Sequence, residues 1–200
     1  MTNTKTFSVQ KLVMLAILTA IVIILQILGA FIKFGPFSIS LVLMPIAVGA
    51  ALLGAYAGAW LGLVFGFVVL ISGDAFAFLA INPVATVFVV LIKGALAGYI
   101  SGVVYKLIAN RSRTIAAVAA AIACPVINTG IFIIGCYVFF LPTLTEWGIA
   151  EGAVNVTAFI FISLVSINFL FELVINLVLS PTIVRLVQYG QSKWNNTTSD

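Results

Sequence analysis

Long apolar stretches alternate along this chain with short segments that contain charged residues, glycine or proline. The first predicted span covers about 9–32, is apolar from Leu12 to Ile32, and ends at the turn-forming sequence KFGPFS. It is longer than the roughly 7–15 residues of a signal-peptide core, and no A-x-A-type cleavage site follows it. We therefore interpret it as a retained membrane span.

The next apolar run, 39–72, is too long for a single span. As one helix it would measure about 51 Å, against about 30 Å for the hydrocarbon core of a bilayer. We therefore predict a break in the sequence LLGAYAG, at about 54–57, which gives two short spans at about 38–53 and 56–72.

Three further apolar stretches predict spans at about 83–105, 114–140 and 156–187. Predicted loops separate them: GDAFAFLAINP, KLIANRSR, and LPTLTEWGIAEGAVN, the last with room for one short interfacial turn. The pattern predicts an all-α integral membrane protein, a single-domain bundle of six transmembrane helices within residues 1–190, followed by a polar cytoplasmic tail at 191–200.

Composition agrees with a membrane protein, since 64% of the residues are hydrophobic and 7% are charged, compared with about 25% in soluble domains. Histidine is absent, and neither G-x-x-x-x-G-K-[ST] nor H-E-x-x-H occurs. The sequence therefore predicts no enzyme activity, no ATP-hydrolysing part, no metal site and no cofactor. Cys124 and Cys136 are interpreted as small apolar residues. We expect the protein to lie in a lipid membrane and to bind no nucleic acid.

The basic residues predict the orientation of the spans. With the N-terminus inside, the outer loops carry Lys33 as their basic residue, together with Asp74, Glu146 and Glu151. The inner ends carry Lys5, Lys11, Lys106, Arg111, Arg113, Arg185 and Lys193. By the positive-inside rule, both termini are predicted to be cytoplasmic, which an even number of spans allows.

Two spans carry small residues at a spacing of four, which places them on one helix face. In AILTA, Ala16 and Ala20 form such a face on the first span, and the third span has Gly54, Gly58 and Gly62, continued at position 66. Small residues at this spacing let helix backbones approach closely in lipid. For the glycines, packing within the chain is favoured over an interface with another chain.

Polar residues inside the predicted spans are the main candidates for a binding site. Lys93 and Asn168 lie about 15 and 18 Å below the outer ends of their helices, and Asn128 lies at a comparable depth. Glu172 follows Asn168 after one helical turn, with Asn176 one turn further. An ammonium at the bilayer centre costs about 2.5–3.5 kcal/mol, so Lys93 requires an explanation.

Two interpretations of this polar set remain open. In the structural one, Lys93 pairs with Glu172 and the asparagines hydrogen-bond to neighbouring helices. In the functional one, the set lines a pocket that opens to the outside and binds a polar ligand.

The outer loops add candidates at the rim of such a pocket. Asp74 and Asn82 flank the phenylalanines of ISGDAFAFLAINP, and Trp147 lies between two glutamates of LPTLTEWGIAEGAVN. The loop aromatics fit either anchors at the membrane interface or a lid over the pocket.

The sequences AILTA, SLVLMPIAVGAALLGAYAGAWLGLVFG and LIKGALAGYISGVVYK, within six predicted spans, resemble the substrate-binding S-components of energy-coupling factor (ECF) vitamin transporters. The resemblance covers about 9–190 and is more specific to this superfamily than to one vitamin. It implies a multi-pass protein of a prokaryotic plasma membrane. Such a protein captures a vitamin outside, docks on a T-component that carries two ATPase subunits, topples, and releases the vitamin inside.

The resemblance also implies where the sites lie. Docking onto the T-component falls on Ala16 and Ala20. The vitamin site falls in the outer half of spans four to six, closed by outer loops. That region holds Lys93, Asn128 and Asn168, with Glu172 deeper and Asp74, Asn82 and Trp147 at the rim.

Pantothenate is the vitamin that these residues favour. One lysine with several asparagines suits a small carboxylate that carries hydroxyl and amide groups, and SLVLMPIAVGAAL with FGFVVLISGD looks most like pantothenate-specific members. Riboflavin is not excluded by the many phenylalanines, and thiamine, a cation, ranks lower. A stand-alone secondary transporter is the alternative of a different class, although no inverted repeat is visible. A membrane enzyme or assembly subunit ranks last, since no catalytic constellation occurs.

Overall fold

A computed structural model of the chain describes residues 9–31, 33–34, 37–38, 41–166 and 169–179, together with 182, 185 and 189. Its elements are mainly helices. The longer ones are α1 (Val9–Ala30), α2 (Leu43–Leu53), α3 (Ala55–Ser72), α5 (Pro83–Ala109) and α6 (Arg113–Phe139). Two short helices, α4 (Phe76–Ile81) and α7 (Leu141–Ala150), lie in connecting segments.

The C-terminal span, Val156–Leu179, has an unusual backbone. Its first turn is α-helical at Val156–Ala158 and is followed by a π-helical stretch at Phe159–Ser166. Residues 167–168 lie outside the described part, and helix is present again at 169–179. π-helical turns are rare and occur frequently at functional sites.

Five of the described helical segments are long and apolar enough to cross a membrane: α1, α3, α5, α6 and the C-terminal span. The protein is therefore a multi-pass helical membrane protein. Helix α2 has 11 residues, which corresponds to about 16 Å and is shorter than the bilayer core. The six-span count and the location of the termini remain predictions.

The structure differs from the prediction in the connecting segments. Strands β1 (Lys33–Phe34) and β2 (Phe37–Ser38) form an antiparallel pair, and α2 begins at Leu43, a few residues after the predicted start of the second span at about 38. Helices α4 and α7 occupy much of the two segments predicted as outer loops.

The long apolar run is divided at Gly54, within the predicted break. This glycine has φ +101° and ψ 172°, a conformation that favours glycine because it lacks a Cβ atom. Helix α2 therefore ends at Leu53 and α3 begins at Ala55.

Glycines on α3 pack against glycines on α5 with backbone in contact with backbone. A Cβ atom on Gly62 would overlap the carbonyl oxygen of Gly94, and one on Gly58 would overlap that of Gly98. A Cβ atom on Gly66 would likewise lie only 2.8 Å from the carbonyl oxygen of Val90. The glycines of α3 therefore pack within the chain, as their spacing predicted. Helix α5 lies between α3 and α6 and contacts both.

Candidate functional site

A cavity lies between α1, α3, α5, α6 and the C-terminal span, under the segment that carries α4. The cavity has a volume of about 90 Å³, measured so that a single water molecule needs roughly 10–15 Å³. The cavity therefore has room for several waters or a small organic group.

Lys93 extends into this cavity from α5, one residue before the Gly94 contact with α3. Its Nζ atom lies 5.3 Å from the centre of the Phe132 ring and 5.9 Å from that of Phe65. Aromatic faces attract a cation at this distance, most strongly where water is excluded. The two rings therefore hold the ammonium within the cavity without neutralising its charge.

Asp74 lines the cavity from the segment after α3. Gln26 of α1 donates a hydrogen bond from Nε2 to Asp74 Oδ2 at 2.6 Å, and Ser72 Oγ donates to the same oxygen at 3.4 Å. Gln26 is only 2% exposed and lines the cavity itself. This residue was missed at the sequence level, although a glutamine in an apolar span was a visible signal.

Asn128 brings an unsatisfied hydrogen-bond acceptor to the cavity from α6. It is 5% exposed, and within the described part of the chain its Oδ1 atom has no hydrogen-bond partner. Buried side-chain oxygens normally accept a hydrogen bond, so this atom is suited to a donor group on a ligand. Thr129 and Thr86, which the sequence analysis did not select, add hydroxyl groups to the lining.

Glu172 lines the cavity from the C-terminal span and is 4% exposed. Its backbone oxygen accepts a hydrogen bond from Asn176 Nδ2 at 2.8 Å. Lys93 and Glu172 therefore bring side chains of opposite charge to the same cavity from different helices.

Aromatic side chains form much of the remaining wall. Phe78 of α4 is buried and makes edge-to-face contacts with Phe132 at 5.6 Å and Phe140 at 5.0 Å between ring centres. The neighbouring Phe76 is exposed. Phe78 thus lines the cavity, and the two roles considered for the loop aromatics, lid and membrane anchor, remain predictions.

The remaining predicted site residues do not line the cavity or cannot be placed. Asn82 is the N-cap of α5, where its Oδ1 atom accepts a hydrogen bond from the Ala85 backbone at 3.1 Å. The ring of Trp147, on α7, lies 6.1 Å from that of Phe78, so Trp147 contacts a residue of the cavity wall without lining the cavity itself. Asn168 lies outside the described residues.

Fold and site together define an integral membrane protein with a partly open cavity that is lined by charged and aromatic side chains. The family model for the substrate-specific component of ECF transporters matches residues 10–184, and the chain belongs to this family. It is 29% identical over 187 residues to the pantothenic acid transporter PanT of Lactococcus lactis subsp. cremoris (strain MG1363), covering 85% of this chain and 89% of that protein. No solved structure matches the chain.

Proposed function

We propose that this protein is the substrate-binding subunit of an ECF importer, and that its substrate is pantothenate. The observation that carries the proposal is the Lys93 ammonium, held between two aromatic rings in the cavity of a chain from this family. The similarity to a pantothenic acid transporter supports the choice of vitamin.

The cavity chemistry fits the functional groups of pantothenate. The ligand carboxylate would interact with Lys93, because a hydrogen bond between charged groups is stronger than one between neutral groups. The ligand's amide and two hydroxyl groups supply donors for Asn128 Oδ1 and partners for the hydroxyl groups of Thr86 and Thr129. Phe78 and its aromatic neighbours would cover the apolar methyl groups.

Delivery to the inside would depend on partner subunits. Ala16 and Ala20 are exposed on α1, on a different face from the buried Leu18, Val22 and Gln26. This exposed small-residue face is the proposed docking surface for a T-component, whose two ATPases would supply the energy. Both chain termini would then lie in the cytoplasm of a prokaryotic cell.

The decisive experiment identifies the bound molecule and the requirement for partners. We expect mass spectrometry of the purified protein to detect co-purifying pantothenate. Proteoliposomes should accumulate labelled pantothenate only when a T-component and both ATPases are present with ATP. Riboflavin or another vitamin in the purified protein would replace the substrate assignment. Uptake by this chain alone would instead establish a secondary transporter.

A further inference from the structure

Helix α5 contributes two polar side chains to the cavity, separated by an apolar stretch. Thr86 and Lys93 both line the cavity, and both lie on the face of α5 that is turned towards it. They are two helical turns apart, which corresponds to about 10 Å along the helix axis. Val89 and Val90, which lie between them, also line the cavity. One face of α5 therefore presents a hydroxyl group, an apolar surface and a cation in this order.

The hydroxyl group of Thr86 has a fixed orientation. Its Oγ1 atom donates a hydrogen bond to the backbone oxygen of Asn82 at 2.8 Å. The same backbone oxygen accepts a hydrogen bond from the Thr86 backbone N–H at 3.0 Å. Asn82 is itself held as the N-cap of α5, through the Ala85 backbone N–H. The proton of the Thr86 hydroxyl group is therefore used within the first turn of α5.

A ligand can meet this hydroxyl group only as a hydrogen-bond acceptor. A hydroxyl group has one proton and two acceptor lone pairs, and in Thr86 the proton already points to Asn82. Thr86 is 2% exposed, and within the described residues no other group of the protein hydrogen-bonds to Oγ1. A ligand hydroxyl or N–H group can donate to this oxygen, whereas a ligand group without a proton would place lone pair against lone pair. Thr86 therefore favours a donor.

The distance to Lys93 indicates which donor of the proposed ligand reaches Thr86. In pantothenate, eight bonds separate the carboxyl carbon from the oxygen of the primary hydroxyl group. An extended chain gains about 3.3–3.6 Å per three bonds, so these groups are about 9 Å apart, close to the two turns between Lys93 and Thr86. The two methyl groups of pantothenate lie near its primary hydroxyl group and would contact Val89 or Val90.

We propose that Thr86 determines specificity by accepting a hydrogen bond from the primary hydroxyl group of the ligand, while Lys93 binds its carboxylate at the other end. The ligand then lies along α5, with its hydroxyl end towards α4, the helix that directly precedes α5 in the chain. This inference rests on the proposed function and adds the orientation of the ligand and the residue that recognises its hydroxyl end.

A double-mutant cycle between protein and ligand tests this contact. Calorimetry compares pantothenate with the analogue in which hydrogen replaces the primary hydroxyl group. Wild type should bind the analogue about 10- to 100-fold more weakly, because the buried Thr86 oxygen then has no donor. Thr86→Val keeps the shape of the side chain and removes the acceptor. It should bind the two ligands with affinities that differ by no more than about twofold.

Two further variants serve as controls. Thr145 of α7 makes the same kind of hydrogen bond, from Oγ1 to the Leu141 backbone oxygen at 2.8 Å, but does not line the cavity. Thr145→Val should therefore keep the wild-type preference for the hydroxyl ligand. Thr86→Ser retains a hydroxyl group and should keep this preference as well. If Thr86→Val binds the analogue as tightly as wild type does, the variant is folded.

Lys93→Met tests whether the two ends of the ligand bind separately. It should weaken the binding of both ligands by the same factor and retain the preference for the hydroxyl group, because contacts at separate positions contribute additively. Loss of the preference in Lys93→Met would mean that the hydroxyl group binds at Lys93, and the proposed orientation would be wrong.

The outcomes distinguish this inference from the proposed function. Equal binding of pantothenate and the analogue by wild type, or a full hydroxyl preference in Thr86→Val, would overturn the role of Thr86 and leave the vitamin assignment in place. No binding of pantothenate to wild type would overturn both.

Discussion

At the scale of single residues, the cavity depends on a few polar side chains held by apolar helices. Lys93 is positioned by the aromatic rings of Phe65 and Phe132, and Asp74 by Gln26. Lys93 could be selected from the sequence because a charge in an apolar span is costly without a function. Gln26 could not be ranked in this way, since its importance comes from a partner 48 positions away.

Lys93→Met tests the residue on which the binding proposal depends. Methionine keeps much of the length of the side chain and removes the charge. Because a hydrogen bond between charged groups contributes about 1.5–3 kcal/mol, we expect pantothenate affinity to fall about 10- to 100-fold, measured by calorimetry. The exposed Lys106→Met variant on the same helix should bind as wild type does.

The result also separates the two interpretations of Lys93 and Glu172. Weak binding by a folded Lys93→Met protein, judged by its melting temperature, supports a ligand role. If Lys93→Met fails to fold, and the double variant with Glu172→Gln regains both folding and binding, the two residues form a structural pair and the ligand role is wrong.

At the scale of elements, contact between α3 and α5 fixes the position of Lys93. Gly58 and Gly62 pack against Gly98 and Gly94, so the two backbones touch and the residue next to Gly94 points into the cavity. The four-residue glycine spacing on α3 was visible in the sequence. The glycines of α5 were equally visible in the sequence, but only the packed structure shows that they face the glycines of α3.

Gly62→Ala should therefore destabilise the protein. Its Cβ atom would overlap the Gly94 carbonyl, which is backbone and cannot move aside as a side chain can. Overpacking of this kind costs about 1–3 kcal/mol, which should appear as a lower melting temperature in detergent. Gly130→Ala on α6 is the matched control, because nothing lies within 4 Å of its added Cβ atom. Equal melting temperatures for the two variants would contradict the packing described for α3 and α5.

At the scale of the whole molecule, α1 presents two different faces. Its buried face contains Val22 and reaches the cavity through Gln26, whereas Ala16 and Ala20 are exposed. An exposed small-residue face suits close contact with another helix in the membrane. Binding and docking should therefore be separable by mutation.

Ala16→Trp and Ala20→Trp should leave pantothenate affinity within about twofold of wild type, because neither residue lines the cavity. Transport into proteoliposomes with the partner subunits should fall more than tenfold, since a bulky side chain keeps the helix backbones apart. Ile134→Trp, at an exposed position of α6, controls for the addition of a large side chain. Uptake at the wild-type rate in both alanine variants would show that this face does not dock.

The sequence by itself determined the class of the protein and most of its helices, because the length and composition of apolar stretches are local properties. It also predicted that the long apolar run breaks at about 54–57, because one helix of that length would exceed the bilayer core, and the structure has the break at Gly54. The tertiary structure decided which polar residues share one cavity. In the structure, Asn82 caps a helix and Trp147 packs against Phe78. Gln26 is an additional residue of the cavity lining. These assignments depend on contacts between helices far apart in the chain, which spacing along a single helix does not encode.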